Sequence, residues 1–192
     1  GYDCETFEER IAAADALVCW TIDTKNLAKR APRLRWIHAT GAEDIAVTGS
    51  GVIDGRGTAF VADRQPHRHW PASGRPFMFN FEDCRRITME SVTLRDSAFW
   101  AVHLLGCDDV LFNGIRILNN PLMPNCDGID PHRSRNVRII GCYIEAGDDC
   151  ICPKSEAGFE HYGATEDIIA SGCTLVSSSC AIKVGSGTYG EF

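Results

Sequence analysis

Arg135-Asn136-Val137-Arg138-Ile139-Ile140-Gly141-Cys142-Tyr143-Ile144 carries the phrase that decides the fold. A polar residue and an Asn lead into Val, alternation follows, and a small residue opens a second apolar stretch. Residues 43–49 with 51–55, 84–89 with 92–94, 107–115 and 166–175 repeat the phrase approximately. Alternation at period two is a strand signal. Strands this short bury no face alone, whereas successive stacked copies enclose a continuous core. The equivalent anchors Ile45, Ile87, Val110, Val137 and Ile168 fall 42, 23, 27 and 31 residues apart. A coil of constant path with loops of variable length accommodates that spread. The Asn or Asp beside the anchor fits a sharp corner, because both residues tolerate left-handed backbone.

The expected class is therefore all-β, a parallel β-helix (solenoid) over residues 37–192 that stops before its C-terminal end is complete. Residues 1–36 fit no repeat and are expected to form an N-terminal cap or irregular segment. Thr6-Phe7-Glu8-Glu9 has capping-box form, and Phe7, Ile11 and Leu17 are spaced for a modest helical face. Residues 59–74 read as a loop between coils, with His67 and His69 as loop residues and not metal ligands.

Composition narrows the function classes. A chain of 192 residues with 44 % hydrophobic and 23 % charged residues is globular, not a disordered tail. A formal net charge of −7 disfavours a nucleic-acid partner. No apolar run approaches the roughly 18 residues of a membrane span. The sequence begins Gly-Tyr-Asp-Cys with no initiator methionine and no visible signal peptide, as expected of a processed or trimmed start. Ten cysteines permit disulfides, but no His/Cys spacing has zinc-site form, and most are expected to be small buried apolar residues. The expectation is no cofactor and no metal, with the oligomeric state left open.

Two acidic motifs lie one repeat apart: Asn125-Cys126-Asp127-Gly128-Ile129-Asp130 and Gly147-Asp148-Asp149-Cys150-Ile151. One coil apart in sequence means stacked in space, so Asp127 should meet Asp148 and Asp149. Crowded carboxylates repel, and one of them should hold a proton near neutral pH. An acid beside a base is what glycoside hydrolysis requires. Adjacent aspartates also occur as plain turn residues. Asp108-Asp109 is such a pair, at an ordinary corner of the third repeat.

With these motifs in hand, the sequence resembles glycoside hydrolase family 28, the polygalacturonase family, over about residues 38–185. Gly51-Val52-Ile53-Asp54-Gly55-Arg56-Gly57 is similar to the family's early glycine-rich phrase, and Arg75-Pro76-Phe77-Met78-Phe79 to its next segment. Ser97-Ala98-Phe99-Trp100-Ala101-Val102-His103 matches Ser-Pro-x-Trp-x-x-His except at Ala98. Asn125-Cys126-Asp127 matches Asn-Thr-Asp with Cys for Thr, and Gly147-Asp148-Asp149 matches Gly-Asp-Asp outright.

The resemblance implies a right-handed parallel β-helix and inverting hydrolysis of α-linked galacturonate in pectin-type polysaccharide. It implies Asp148 as general acid, with Asp127 and Asp149 positioning and deprotonating the water. An acidic polysaccharide or oligosaccharide is the implied partner, and a secreted or periplasmic location the implied compartment. Asn125, His103, Lys154 and Lys183 are the candidate substrate-binding residues. The two lysines suit a uronate carboxylate, and Trp100 with His103 suits a sugar subsite. Cys180 stands where the family carries the His of Gly-His-Gly, and no Arg-x-Lys follows within the chain. Hydrolysis of rhamnogalacturonan or another decorated glycan, and a catalytically silent glycan-binding or structural β-helix, are the alternatives. A β-helix lyase fits less well, since such enzymes commonly use calcium and a basic residue.

Overall fold

The computed structural model describes residues 16–19 and 36–192. With strands numbered along the chain, three parallel sheets form the walls of a solenoid. The first contains β1 (Ala16–Cys19), β2 (Trp36–Thr40), β7 (Phe79–Glu82), β10 (Val102–Leu105) and β13 (Ile129–His132). The second contains β3 (Glu43–Thr48), β8 (Arg85–Glu90), β11 (Asp108–Asn113), β14 (Arg135–Ile140) and β16 (Glu166–Ser171). The third contains β4 (Val52–Asp54), β9 (Thr93–Arg95), β12 (Arg116–Leu118), β15 (Tyr143–Ala146) and β17 (Thr174–Ser177). The chain visits the three walls in turn, so each coil lies directly on the one before. This is a parallel β-helix.

Register follows the repeat. Ile45 pairs with Ile87, Ile87 with Val110, Val110 with Val137, and Val137 with Ile168. The five sequence anchors thus form one ladder. Its inward neighbours are Val47, Met89, Phe112 and Ile139; the third wall adds Ile53, Leu94, Ile117 and Ile144. Phe79, Phe81, Val102, Leu104 and Ile129 close the core from the first wall, all of them buried. Each such side chain contributes about 1.5–3 kcal/mol by leaving water.

The residue before each anchor turns the corner. Asp44, Arg86, Asp109, Asn136 and Asp167 have φ of 57, 53, 57, 54 and 53°. Asp and Asn adopt this left-handed backbone at little cost, which explains four of the five. Arg86 is the exception, and its guanidinium reaches the coil below to pair with Asp44 at 2.5 Å and Glu43 at 2.6 Å. These contacts are exposed and weak individually.

The cysteine ladders serve as small corner fillers. Cys84 and Cys107 share one corner, and Cys142 and Cys173 another. Each thiol donates to a carbonyl of the preceding coil, as Cys84 Sγ does to Ala39 O at 3.3 Å and Cys107 Sγ to Phe81 O at 3.4 Å. Cys84, Cys107, Cys126, Cys142, Cys150, Cys152, Cys173 and Cys180 are free thiols.

Two regions go beyond the repeat. The expected capping box and helical face at Thr6–Leu17 lie outside the described residues except at their end, where β1 pairs in parallel with β2 and extends the first wall. The excursion after β4 holds a 3₁₀ turn at Gly57–Phe60 and an antiparallel hairpin of β5 (Val61–Arg64) and β6 (His69–Pro71). His69 N donates to Leu122 O at 2.8 Å, which holds the hairpin against the loop before Asp127. Among the described residues no helix is long and apolar enough to cross a membrane.

Phe112 is fully buried between stacked neighbours. Phe112→Ala is expected to lower stability by about 3–5 kcal/mol, read as a shift in the midpoint of urea unfolding.

Candidate active site

The acidic motifs meet on the outer face of the first wall. Ile129 of β13 bridges Ile151 in parallel, and Gly128 N donates to Asp149 O at 2.9 Å. Trp100, Asp127 and Asp149 stand two residues before the paired Val102, Ile129 and Ile151, just ahead of the wall strands, so they fall in one row, one coil apart, and all three line one cavity. Two glycines permit the approach. A Cβ on Gly128 would stand 2.3 Å from Cys150 O, and one on Gly147 would stand 2.2 Å from Met123 O.

A cavity of about 150 Å³ opens above this row, lined by Trp100, Asn125, Asp127, Asp148, Asp149, Lys154, Glu156, Lys183, Ser186 and Gly187. Seven of the eight residues read from the sequence, Trp100 among them, line it; His103 does not. A second hollow of about 320 Å³ lies beside it, with His67 and Arg68 of the hairpin on one side and Ser178 and Ser179 on another. Asp148 lines both.

The three carboxyl groups have different surroundings. Asp148 is half-buried, and its Oδ2 accepts the Asn125 backbone N–H at 3.0 Å and the Asn125 amide at 3.4 Å. Asn125 sits at φ 56°, a conformation that Asn tolerates. Arg75 fixes this loop by donating to Pro124 O at 2.7 Å and to Asn125 Oδ1 at 3.1 Å.

Asp149 is buried, which disfavours its charge, but a 2.9 Å bond from Lys183 Nζ helps hold its carboxyl below the usual range. Asp127 behaves in the opposite way. Burial pushes its carboxyl up to about 7; Lys154 opposes the rise, while Asp148 and Asp149 add to it. The proton expected on one of the crowded carboxyls is therefore held by Asp127.

Below the row lies a buried charge cluster. Lys154 Nζ stands 2.9 Å from Asp130 Oδ1, 3.8 Å from Asp127 Oδ2 and 2.8 Å from Cys152 Sγ, and 4.5 Å from the centre of the Trp100 ring. Ligand atoms of Asp127, Asp130 and Cys152 lie within 4.8 Å of one another, and the ammonium supplies the positive charge among them.

His103 is buried and belongs to a hydrogen-bonded column next to the cavity. The Glu156 N–H donates to His132 Nε2 at 3.1 Å, which leaves His132 Nδ1–H to meet His103 Nε2 at 3.3 Å. His103 Nδ1–H then meets Asn80 Oδ1 at 2.7 Å. Burial lowers both imidazoles, to about 3 for His103 and about 4 for His132, so each is neutral at neutral pH. The ring of His103 stacks on Phe77 at 4.9 Å and meets Trp100 edge-on at 5.2 Å.

The family model for glycosyl hydrolases family 28 matches residues 17–187. The chain belongs to this family. A probable polygalacturonase of Vitis vinifera is 34% identical over 157 residues, covering 78% of this chain and 31% of its own length. A probable exopolygalacturonase B of Aspergillus terreus is 29% identical, over 62% of this chain and 28% of its own. The chain thus spans about a third or less of the length of these curated relatives. Among solved structures, a polygalacturonase from Erwinia carotovora ssp. carotovora superposes with TM-score 0.62 at 22% identity, over 77% of this chain and 44% of that one. A hyperthermoactive exopolygalacturonase from Thermotoga maritima gives TM-score 0.62 at 22% identity, over 79% and 42%. These structures share the fold.

Sequence reasoning gave no role to Arg75, Asp130, Cys152 or Glu156. Asp130 carried a signal: it closes the first acidic motif, Asn125–Asp130. Arg75 carried none, because its partners lie at 98, 124 and 125.

The Asp127 carboxyl has a folded value of about 7 against an ordinary 3.8. A raised value means that its contribution to stability is intact below pH 4 and is lost as pH rises towards 7. Asp127→Asn is expected to be more stable than wild type by about 2–4 kcal/mol at pH 8, with the gap closing towards pH 4. Urea unfolding at both pH values measures it.

Proposed function

We propose that this chain carries the acid/base centre of an enzyme that hydrolyses α-linked galacturonan with inversion at the sugar carbon. The observation that carries the reading is the position of Asp148 as the common wall of two hollows, with Asp127 and Asp149 on the cavity side only. A glycosidic bond spanning the two hollows has its oxygen at Asp148, the place for a general acid. Asp149, held ionised by Lys183, is placed to take the proton of a water in the cavity. Asp127 in its charged form accepts that water's second hydrogen and fixes its approach. Inversion needs the acid and base carboxyls separated by about 6.5–9.5 Å so that water fits between them.

The galacturonate assignment rests on the relatives named polygalacturonase and on the cations at the cleft. Lys183 is half-exposed beside the cavity, and Arg68 is exposed beside the second hollow. Each offers positive charge to a uronate carboxylate. Trp100 gives the cavity a flat apolar wall for a sugar face. A polymer of this kind does not cross a membrane, so the reading places the enzyme outside the cell or in the periplasm.

The full native protein is expected to release reducing ends from polygalacturonate without forming the ultraviolet-absorbing unsaturated product of a lyase. An absorbing product would sink the hydrolase assignment. Asp148→Asn is expected to lower kcat by about 10²–10⁴-fold while circular dichroism stays that of wild type. Turnover near the wild-type rate would remove Asp148 from the acid role.

A further inference from the structure

Lys154 reads from the sequence as a ligand for the substrate carboxylate, and its surroundings argue for a different task. The whole residue is 5% exposed. An ammonium has three donors, and three acceptors already crowd it: Asp130 Oδ1 at 2.9 Å, Cys152 Sγ at 2.8 Å and Gly185 O at 3.5 Å. The Trp100 ring stands over it at 4.5 Å. No donor remains for an incoming anion.

The groups around it need a cation for another reason. Asp130 is fully buried, and the cation against its Oδ1 is Lys154 at 2.9 Å. Asp127 is 3% exposed, and its Oδ1 has no hydrogen-bond partner. Two such carboxyls together carry a large desolvation penalty when charged. Lys154 Nζ lies 2.9 Å from one and 3.8 Å from the other, and binds them as a single charge unit.

We propose that Lys154 is a positioning residue, a buried counter-ion that holds the Asp127 carboxyl in place and lets it ionise beneath the cleft, and that it does not bind substrate. This rests on the acid/base reading of Asp127 given above, and it adds the source of that group's ionisability.

The other charged neighbours act on Asp127 from separate sides. Asp148 and Asp149 face it from the next coil and disfavour its charge. Lys183 is committed to Asp149. His132 and His103 are neutral and contribute no charge near pH 7. Arg133 turns away to Gly163 O and Glu156 O, at 3.0 Å each. Lys154 is thus the cation that touches both carboxyls.

The test is a direct titration of aspartate side-chain carboxyls by ¹³C NMR in the full native protein, with Asp127 assigned through Asp127→Asn. Lys154→Met is expected to move the Asp127 midpoint up by about one pH unit or more. The double variant Asp130→Asn with Lys154→Met removes the pair together, which folded proteins tolerate better than a single loss. The same upward shift is expected there, and it decides the matter if the single variant does not fold. In activity on polygalacturonate, the acidic limb of the pH profile should rise with the NMR midpoint, with kcat reduced and KM within about threefold.

An unchanged Asp127 midpoint in the folded variants overturns the proposal. So does a large rise in KM with kcat and the pH profile intact, because that is the signature of a substrate anchor. If wild type turns over no uronan at all, the hydrolase reading fails, while the carboxyl titration still decides the role of Lys154.

Discussion

In-register parallel stacking is the constraint on which everything else in this molecule depends. Each strand pairs with the strand one coil away, so a residue's neighbours are set by its place in the repeat and not by its distance in sequence. Ile45, Ile87, Val110, Val137 and Ile168 form one ladder for this reason. The rule holds on the outer face too. Asp127 and Asp149 are neighbours because Ile129 and Ile151 are paired beneath them. A register slip of one residue would turn Asp130 into the core and Ile129 out to solvent. The apolar ladder inside the solenoid therefore fixes the acidic row outside it.

That coupling explains how much of the molecule was legible in the sequence. The walls were, because period-two alternation and the Asn or Asp at each corner are local signals that recur. The meeting of Asp127 with Asp148 and Asp149 was legible as well, since one repeat apart is one coil apart. What escaped was whatever depends on loops and on the third dimension of the outer face. Arg75 holds Asn125 from 50 residues away, and no local pattern announces that contact. His103 sits within a strand and beside Trp100, so it read as a cleft residue. In the fold, Phe77 and His132 cover it and only Trp100 lines the cavity. The excursion at residues 59–74 read as a loop because its strands are too short to show alternation, and yet its hairpin walls the hollow beside Asp148.

The two lysines show why charge alone is a poor guide to role. Both follow the acidic motifs in sequence, and both looked like anchors for an anion. Lys183 stands at the rim, where its side chain is 35% exposed, and pairs with one carboxylate. Lys154 lies below the row, where its side chain is 6% exposed, and faces two. A rim lysine with one partner keeps donors for a ligand. A buried lysine with its donors taken serves the residues around it.

The same placement separates Asp127 from Asp149, two aspartates in one row with carboxyls moved in opposite directions. Burial acts on both to favour the proton. Asp149 escapes because Lys183 reaches it at 2.9 Å and belongs to it alone. Asp127 does not, because its cation stands at 3.8 Å and is drawn closer to Asp130 at 2.9 Å. Had Asp130 been uncharged, like its register partners His103 and Asn80 in the neighbouring strands, Lys154 would have been free to settle on Asp127 and favour its ionised form. A single buried aspartate, three residues along the strand, draws off that charge and leaves Asp127 able to change its protonation near neutral pH. The difference between two otherwise similar carboxyls thus traces to how one ammonium is divided between them.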